Sequence, residues 1–327
     1  MTSTATDAPP AQAAVTSIQT RTPGQLAWGR FRRDRKSFVA GIVVLVSIIL
    51  AILGPILVAL NVLDPFTVNQ HLIDSNALPI GPFGGISWAH PLGIEPGIGR
   101  DTLSRVWLGL SYSLFIASLA ALLAVALGVV LGIVAGMSRG FADTIVGRTI
   151  DLVLSFPQTL MLLALSGTIV AFLTVSLGIP KGNPAQTVYV ILVLAVFGWP
   201  PVARLIRGQV LSLREREFID AARLFGASRS RLWFREVLPN LWAPILVQFT
   251  LILPAYISAE AALAYLGVSV VPPTPTIGNV LTDSLQYASS DLLYFLTPAV
   301  LLVIIVVSFN LLGDGLRDAL DPKSSTH

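Results

Sequence analysis

The sequence predicts an all-α polytopic membrane protein with six transmembrane helices and with both termini on the cytoplasmic side. Three observations lead to this fold class. Hydrophobic residues make up 54% of the chain and charged residues only 12%, with a mean hydropathy of +0.76. Several apolar runs reach the length of about 20 residues that a helix needs to cross a bilayer. The lysines and arginines lie mostly beside these runs, as expected from the preference for cations on the cytoplasmic side.

Two segments precede the first span. Residues 1–22 are rich in Ala, Thr, Ser and Pro, which predicts a disordered tail. Residues 23–37 place three large apolar side chains among four arginines and one lysine. This mixture is typical of a basic amphipathic segment in the headgroup layer, and it is equally consistent with a basic flank of the first span. Neither segment contains the apolar core of a cleavable signal peptide.

Six apolar segments follow as candidate spans. Their predicted limits are 38–60, 111–137, 150–176, 185–206, 242–266 and 292–312. The predicted organisation is a first transmembrane helix at 38–60, an extracytoplasmic loop at 61–110, a five-helix core at 111–312 that contains a cytoplasmic loop at 207–241, and a cytoplasmic tail at 313–327. The fourth segment is the least certain in length, because its clean apolar run has 13 residues and Pro200 and Pro201 predict a kink or an end.

The distribution of cations indicates that the fourth segment also crosses the membrane. With six spans and the N-terminus inside, the cytoplasmic segments hold 18 of the 21 lysines and arginines. If the fourth segment did not cross, the eight arginines around residue 220 would lie outside, against the orienting preference. Six spans with both termini inside is therefore the consistent prediction.

In the second predicted span, Gly128, Gly132 and Gly136 recur at every fourth position. This spacing lets two helix backbones approach closely, so we expect the three glycines to serve packing.

The chemistry that is missing excludes several classes of protein. The chain has no cysteine, no nucleotide-binding loop and no lysine that follows a glycine, and His71, His90 and His327 lie far apart. We therefore predict a protein that is not an enzyme, has no metal site and binds no cofactor or nucleic acid. The acids nearest the spans, Asp151 and Glu260, do not lie at a predicted helix centre. A secondary transporter is expected to show more such acids.

One polar stretch, "FIDAARLFGASRSRLWFREVLPN" at residues 218–240, interrupts this apolar chain with four arginines and two acids. Helical spacing predicts one face formed by Phe218, Ala221, Ala222 and Phe225. Gly226 predicts a break, after which a second short helix would extend to Pro239. A solvated loop on anionic lipid is one interpretation. The small residues at the contact face and the alternating acids favour a helix that docks on another protein.

This stretch resembles the EAA loop of permease subunits in ABC importers, in which Glu-Ala-Ala is followed by a glycine and by a Leu-Pro-Asn ending. Three further segments are similar to the second, C-type permease subunit of the dipeptide, oligopeptide and nickel importers. They are "HPLGIEPGIGRDTLSRVWLGLSYSL", "EAALAYLGVSVVPPTPTIGNVLTDS" and "FNLLGDGLRDALDPK". The similarity covers nearly all of residues 23–323.

The resemblance implies the type I ABC importer permease fold and a position in the bacterial plasma membrane. It also implies that the loop is a coupling helix seated on a cytoplasmic ATPase. The residues assigned to this contact are Asp220, Ala221, Ala222, Arg223, Gly226, Leu238 and Pro239.

The partners implied by the resemblance are one or two ABC ATPases that bind ATP and Mg²⁺, a second homologous permease, an extracytoplasmic solute-binding protein and membrane lipid. The expected function is to form half of a pore for di- or oligopeptides. Nickel or another small solute is the alternative, and a secondary transporter or a membrane enzyme is a more distant one. The resemblance assigns no substrate-binding residue in this chain.

The sequence departs from the family pattern at three places. Asp220 replaces the glutamate of the motif, and Glu236 stands where a histidine is common. The motif Gly-Thr-Asp-x-x-Gly-Arg-Asp is one residue longer here, so that Arg100 and Asp101 match directly while Glu95 has no assigned role.

Overall fold

The computed structural model describes residues 23–138 and 140–320, and most of these residues are helical. The eleven α-helices are α1 (Pro23–Arg33), α2 (Arg35–Ala59), α3 (Thr102–Met137), α4 (Phe141–Ser155), α5 (Gln158–Val175), α6 (Asn183–Leu213), α7 (Glu217–Leu224), α8 (Arg229–Arg231), α9 (Trp242–Tyr265), α10 (Ile277–Leu285) and α11 (Leu292–Leu320). No β-strand occurs within the described ranges. The predicted disordered tail at 1–22 and the last part of the predicted C-terminal tail, 321–327, lie outside them.

Six helical segments are long and apolar enough to cross a membrane, which confirms the predicted number of spans. They are α2, α3, α5, α6, α9 together with the helical residues before it, and α11. The predicted all-α, polytopic class is therefore confirmed for the part of the chain that the structure describes.

The centre of the bundle is the contact between α3 and α6. A Cβ atom added at Gly128 would lie 2.6 Å from the Cβ of Val202, and one added at Gly132 would lie 2.8 Å from the Cβ of Ile206. Gly136 makes the same kind of approach to α6 one turn further on. The glycines are thus required by close packing, as the spacing predicted.

The predicted third span, 150–176, is divided in the structure. Phe156 has extended backbone with ψ 135°, and Pro157 stands between α4 and α5. A proline disfavours helical backbone at the residue before it, so the apolar run separates into two helices at this point. The spanning part is α5, and α4 is a separate helix that includes Asp151.

The fourth span is longer than its apolar run indicated. The sequence predicted a kink or an end at Pro200 and Pro201, and the end is not found because helix α6 continues through both prolines. Two contacts explain the continuation. The helix packs along the glycines of α3, and its Arg204 and Arg207 pair with acids of α4 at 2.6 Å. These pairs let the polar end of α6 stay helical beyond the apolar run.

The helix α3 begins at Thr102, which is nine residues before the predicted start of the second span. Asp101 caps it, because its carboxylate accepts a hydrogen bond from the Ser104 N–H at 2.7 Å. At the other limit of the bundle, α11 continues to Leu320, beyond the predicted end at residue 312. The predicted loop at 61–110 and tail at 313–327 therefore each include helical residues.

The bundle has two ends that differ in structure. One end contains α1, the start of α2, the end of α11 and the connection from α6 to α9, and we call it the α7 end. Its parts are in contact, since the Phe31 ring of α1 packs close to Gly315 of α11. The opposite end contains the connections at 60–101, 176–182 and 266–291.

A buried ionic network holds the opposite end together. Arg100 donates two hydrogen bonds to Glu95, at 2.5 and 2.8 Å. The guanidinium of Arg105 is fully buried and lies 3.3 Å from Glu95 and 3.6 Å from Asp283 of α10. The network joins the connection at 60–101 to α3 and α10, and it gives Glu95 a structural position that the lengthened motif left open.

Glu260 of α9 forms a second buried contact near this end. It is fully buried and accepts hydrogen bonds from Ser113 of α3 at 3.0 Å and from Ser269 at 2.9 Å. These bonds satisfy the carboxylate within the bundle, so Glu260 links helices here instead of facing an open path.

Candidate functional site

The connection between α6 and α9 is the most exposed polar element at the α7 end. It starts at Arg214, whose guanidinium donates to the Gly136 carbonyl oxygen at 3.0 Å and to Glu215 at 3.1 Å. The first of these bonds satisfies a free carbonyl group at the end of α3. It also fixes the position at which the chain leaves the bundle.

Helix α7 is short and has the charge order that favours a helix. Glu217 and Asp220 lie in its first turn and Arg223 in its last, so that each charge is attracted to its end of the helix dipole. Arg223 also donates a hydrogen bond to Asp220 at 3.0 Å. Asp220 is therefore already paired within the helix, although its side chain remains 62% exposed.

One fully buried side chain of α7 anchors the helix to the bundle. Ile219 is fully buried, in a cluster with residues of α3 and α6 and with Leu232, Val237 and Leu241 of the following segment. Ala222 packs against the same cluster from the next turn. The remaining positions of α7 are exposed or partly exposed.

Gly226 ends α7 in the way the sequence predicted. Its φ angle is +76°, and its N–H donates to the Arg223 oxygen at 2.9 Å while the N–H of Ala227 donates to the Ala222 oxygen at 3.0 Å. This pair of bonds is the Schellman ending of a helix. No atom lies within 4 Å of an added Cβ, so the requirement for glycine comes from the backbone angle alone.

The second half of the connection packs back onto the bundle. The Ser228 side chain caps α8 by accepting from the Arg231 N–H at 3.3 Å. The chain then continues through a π-helical segment, Leu232–Val237, and a 3-10 turn, Leu238–Leu241, into α9. The Asn240 amide donates to the Glu236 backbone oxygen at 2.6 Å and closes this turn.

The two halves leave an apolar tip in solvent. Leu224 and Phe225, which we call the α7 tip, are 88% and 90% exposed. Phe218 is 39% exposed on the same helix. Large apolar side chains presented together in this way are typical of a surface that binds another protein.

The seven predicted contact residues do not form one continuous surface. Asp220, Ala221 and Arg223 are exposed on α7, and Ala222 and Gly226 shape the helix and its end. Leu238 and Pro239 lie instead in the turn that leads into α9, where Leu238 packs against the buried cluster.

Sequence reasoning missed two features of this site. It grouped Phe225 with the alanines of one helix face and did not identify the exposed tip or the anchor Ile219. Phe218 and Ile219 are adjacent apolar residues, and the sequence did not indicate which of them is buried. That choice depends on the distance of α7 from the cluster on α3 and α6.

A second unpartnered surface runs along α5. Of its 18 residues, only Leu162 and Leu173 are buried. A cleft of about 460 Å³ lies beside the start of α5, between the end of α4, α6 and α9, and its lining includes Phe156, Phe197 and Tyr256. A lipid-facing helix or a contact with another membrane subunit would leave such a face, and the cleft distinguishes this one from a smooth lipid-facing surface.

The described residues provide no group of three histidine, aspartate or glutamate side chains that could hold a metal ion. His90 contacts Asp101 at 2.9 Å and lies with the cap of α3.

Comparisons with known proteins agree with this geometry. Residues 128–326 match the family described as "binding-protein-dependent transport system inner membrane component", and residues 22–79 match the "N-terminal TM domain of oligopeptide transport permease C". The chain is 38% identical over 309 residues to the glutathione transport system permease protein GsiD of Salmonella typhimurium, covering 93% of this chain and 92% of that protein. It is 34% identical over 302 residues to the dipeptide transport system permease protein DppC of Bacillus subtilis, covering 91% and 85%.

A solved structure supports the fold. A chain from the inward-facing MetNI methionine ABC transporter superposes with a TM-score of 0.51 and 20% identity, covering 67% of this chain and 96% of that chain.

Proposed function

The chain belongs to the family of binding-protein-dependent transport permeases, in its dipeptide and oligopeptide branch, and from this membership we propose that it forms half of the pore of an ATP-driven peptide importer. It is a multi-pass protein of the bacterial inner membrane. Peptides are the proposed cargo because the named relatives transport glutathione and dipeptides. Nickel or another small solute is the second candidate in the same family.

The observation that carries the proposal is the α7 tip. It presents Leu224 and Phe225 almost fully exposed, on a helix held by one buried residue. A cytoplasmic ATPase that received this tip in a groove would bury the two side chains and hold α7. ATP and Mg²⁺ would be bound by that ATPase, and this chain would be a non-catalytic subunit.

The exposed face of α5 is the proposed contact with a second, homologous permease. Its cleft with α6 and α9 would then lie at the boundary between the two subunits, where the pore is expected. An extracytoplasmic solute-binding protein would rest on the opposite end, on the connections at 60–101 and 266–291.

This arrangement requires the α7 end to be cytoplasmic. The chain has no cysteine, so single cysteines report the orientation directly. With an impermeant thiol reagent on intact cells, Thr274→Cys should be labelled and Ser228→Cys should not. Labelling at residue 228 would contradict the orientation and the coupling role together.

The main test measures substrate-stimulated ATP hydrolysis by the assembled complex. Leu224→Ser with Phe225→Ser should remove the stimulation and leave the basal hydrolysis of the ATPase. The matched control is Phe141→Ser, which removes an 81% exposed phenylalanine from α4. Equal activity of the tip variant and the control would exclude the tip as the coupling contact.

Four further variants locate the contact within the loop. Asp220→Glu should retain stimulation because it restores the carboxylate of the family motif, and Asp220→Lys should abolish it by placing a cation beside Arg223. Gly226→Val should abolish it because a β-branched residue resists a φ of +76°. Glu236→His should have little effect. Loss of stimulation in Glu236→His together with normal activity of Asp220→Lys would move the contact to the second half of the loop.

A further inference from the structure

An apolar groove of about 730 Å³ lies at the α7 end, between α1, α2, α9 and α11. Its lining includes Trp28, Phe31, Leu45, Trp242 and Leu316. The volume falls within the range of about 300–1,000 Å³ that is common for small-ligand pockets. The lining is too apolar to hold ordered water, so an apolar molecule is the expected occupant.

Helix α1 forms one wall of the groove because aromatic contacts hold it to the bundle. Within α1 the Trp28 and Phe31 rings stack with their centroids 5.9 Å apart, and Phe31 meets Phe38 of α2 edge to face at 6.5 Å. Phe31 is buried and packs close to Gly41 of α2 and Gly315 of α11. The groove is therefore a feature of packed helices and not a gap beside a loose segment.

Cations stand at the mouth of this groove. Arg32 is the only charged residue in its lining. The side chains of Arg33, Arg35 and Lys36 are exposed beside it, and the one acid of this stretch, Asp34, caps α2 by accepting from the N–H groups of residues 36 and 37. Trp28 and Trp242 are 58% and 54% exposed at the same level. Tryptophan and basic side chains together mark the interface of a membrane, where the phosphate groups of lipids lie.

We propose that this groove is a binding site for an anionic glycerophospholipid, with one acyl chain in the apolar groove and the phosphate beside Arg32. The two halves of such a lipid match the two halves of the site, an apolar cavity that opens directly at a cationic rim. Basic pockets between transmembrane helices bind anionic headgroups in this way. A zwitterionic lipid would fill the groove as well but would gain less at the rim. The inference concerns the lipid surface of the chain and does not depend on the transported solute.

The tryptophans in the lining allow a direct test. The assembled complex is placed in nanodiscs of phosphatidylcholine that contain a minor fraction of lipid with brominated acyl chains, either phosphatidylglycerol or phosphatidylcholine. Bromine quenches nearby tryptophan fluorescence. The quenching that disappears in the double variant Trp28→Phe and Trp242→Phe is assigned to the groove. We expect this part to be larger with brominated phosphatidylglycerol at equal mole fraction.

The charge variants test the headgroup contact. Arg32→Gln should reduce the preference for phosphatidylglycerol about fivefold. This factor corresponds to the loss of about 1 kcal/mol, the contribution of one cation near an anionic membrane surface. Arg32→Lys should retain most of it, and Arg148→Gln, which removes an exposed cation from α4, should leave it unchanged.

Three results would overturn the proposal. Equal groove quenching by the two brominated lipids would mean that bulk lipid fills the groove without selection of the headgroup. Absence of groove quenching by either lipid would mean that no acyl chain enters. A preference that survived Arg32→Gln would likewise contradict the placement of the phosphate.

Discussion

The two ends of this helix bundle are held together by different kinds of contact. The opposite end is closed by buried ionic contacts, in which Arg105 is fully buried against Glu95 and Asp283 and Arg100 binds Glu95 with two hydrogen bonds. At the α7 end the ion pairs are more exposed, and α7 is held by one fully buried side chain, Ile219, and by Ala222, which is partly buried, while its tip remains in solvent.

This difference indicates where each end obtains its stability. At the opposite end Arg100 and Arg105 are paired with acids of the same chain, so these contacts need no partner protein. The α7 end has too little buried apolar surface of its own to fix α7 rigidly, and local opening is expected to be easiest where such contacts are few. A bound ATPase would supply the missing contacts there.

The largest expected effect comes from removing a cation from the buried ionic network at the opposite end. Arg105→Met should lower the free energy of unfolding by about 3 kcal/mol, because it leaves the buried Glu95 carboxylate with one cation instead of two and removes the cation beside the partly exposed Asp283. The measurement is thermal or denaturant unfolding in detergent. The control is Arg204→Met at the α7 end, where the pair with Asp151 is more than half exposed and should contribute about 1 kcal/mol or less. Equal losses in the two variants would remove the contrast between the ends.

The next effect concerns the anchor of α7. Ile219→Ala should lower the local stability of α7 by about 2–3 kcal/mol through lost packing. The loss should be seen as faster hydrogen exchange of α7 amides, with the exchange of α3 unchanged. Leu224→Ala, at an 88% exposed position, should change the free energy of local opening by no more than about 0.5 kcal/mol. Faster exchange throughout α3 would show that Ile219 stabilises more of the bundle than α7, and unchanged exchange of α7 would show that other contacts hold the helix.

The smallest effect is a pH-dependent one at the α7 end. Two hydrogen bonds from Arg207, at 2.6 and 3.0 Å, lower the pKa of Asp143 below its ordinary value of 3.8. A lowered carboxyl pKa stabilises the folded state above the ordinary value, and this contribution is lost as the pH falls through the folded value. At neutral pH, Asp143→Asn should therefore have a lower free energy of unfolding than the wild type, by about 1 kcal/mol or less. The difference should fade only below pH 3.8, and a difference that faded near pH 6 would point to another group.

Much of the architecture could be predicted from local pattern. The number of spans followed from apolar runs and from the distribution of cations, and the close packing of a helix along three glycines of α3 followed from their spacing. The break at Pro157 was missed because the residues on both sides are apolar. The full length of α6 was missed because its polar end is stabilised by Asp143 and Asp151, which are distant in sequence.

The site was predictable in position and less so in detail. The motif located the loop and its glycine, because a backbone turn depends on residues that are close in sequence. Which side chains of α7 face inward depends on tertiary distance, so neither the burial of Ile219 nor the exposure of Phe225 was accessible. The role of Glu95 was likewise hidden, because its partner Arg105 becomes close only when α3 extends down to Thr102.

The unbroken helix α6 has a mechanical consequence. Its 31 residues form a rod of roughly 46 Å, at about 1.5 Å per residue. Three residues separate one end of this rod from α7, and at the other end Asn183 holds the backbone of Val271 through two hydrogen bonds of 2.9 and 3.0 Å. The packing against the glycines of α3 lies between these two ends. A helix held in this way is expected to move as one rigid unit, so a displacement of α7 would also displace the contact between Asn183 and Val271.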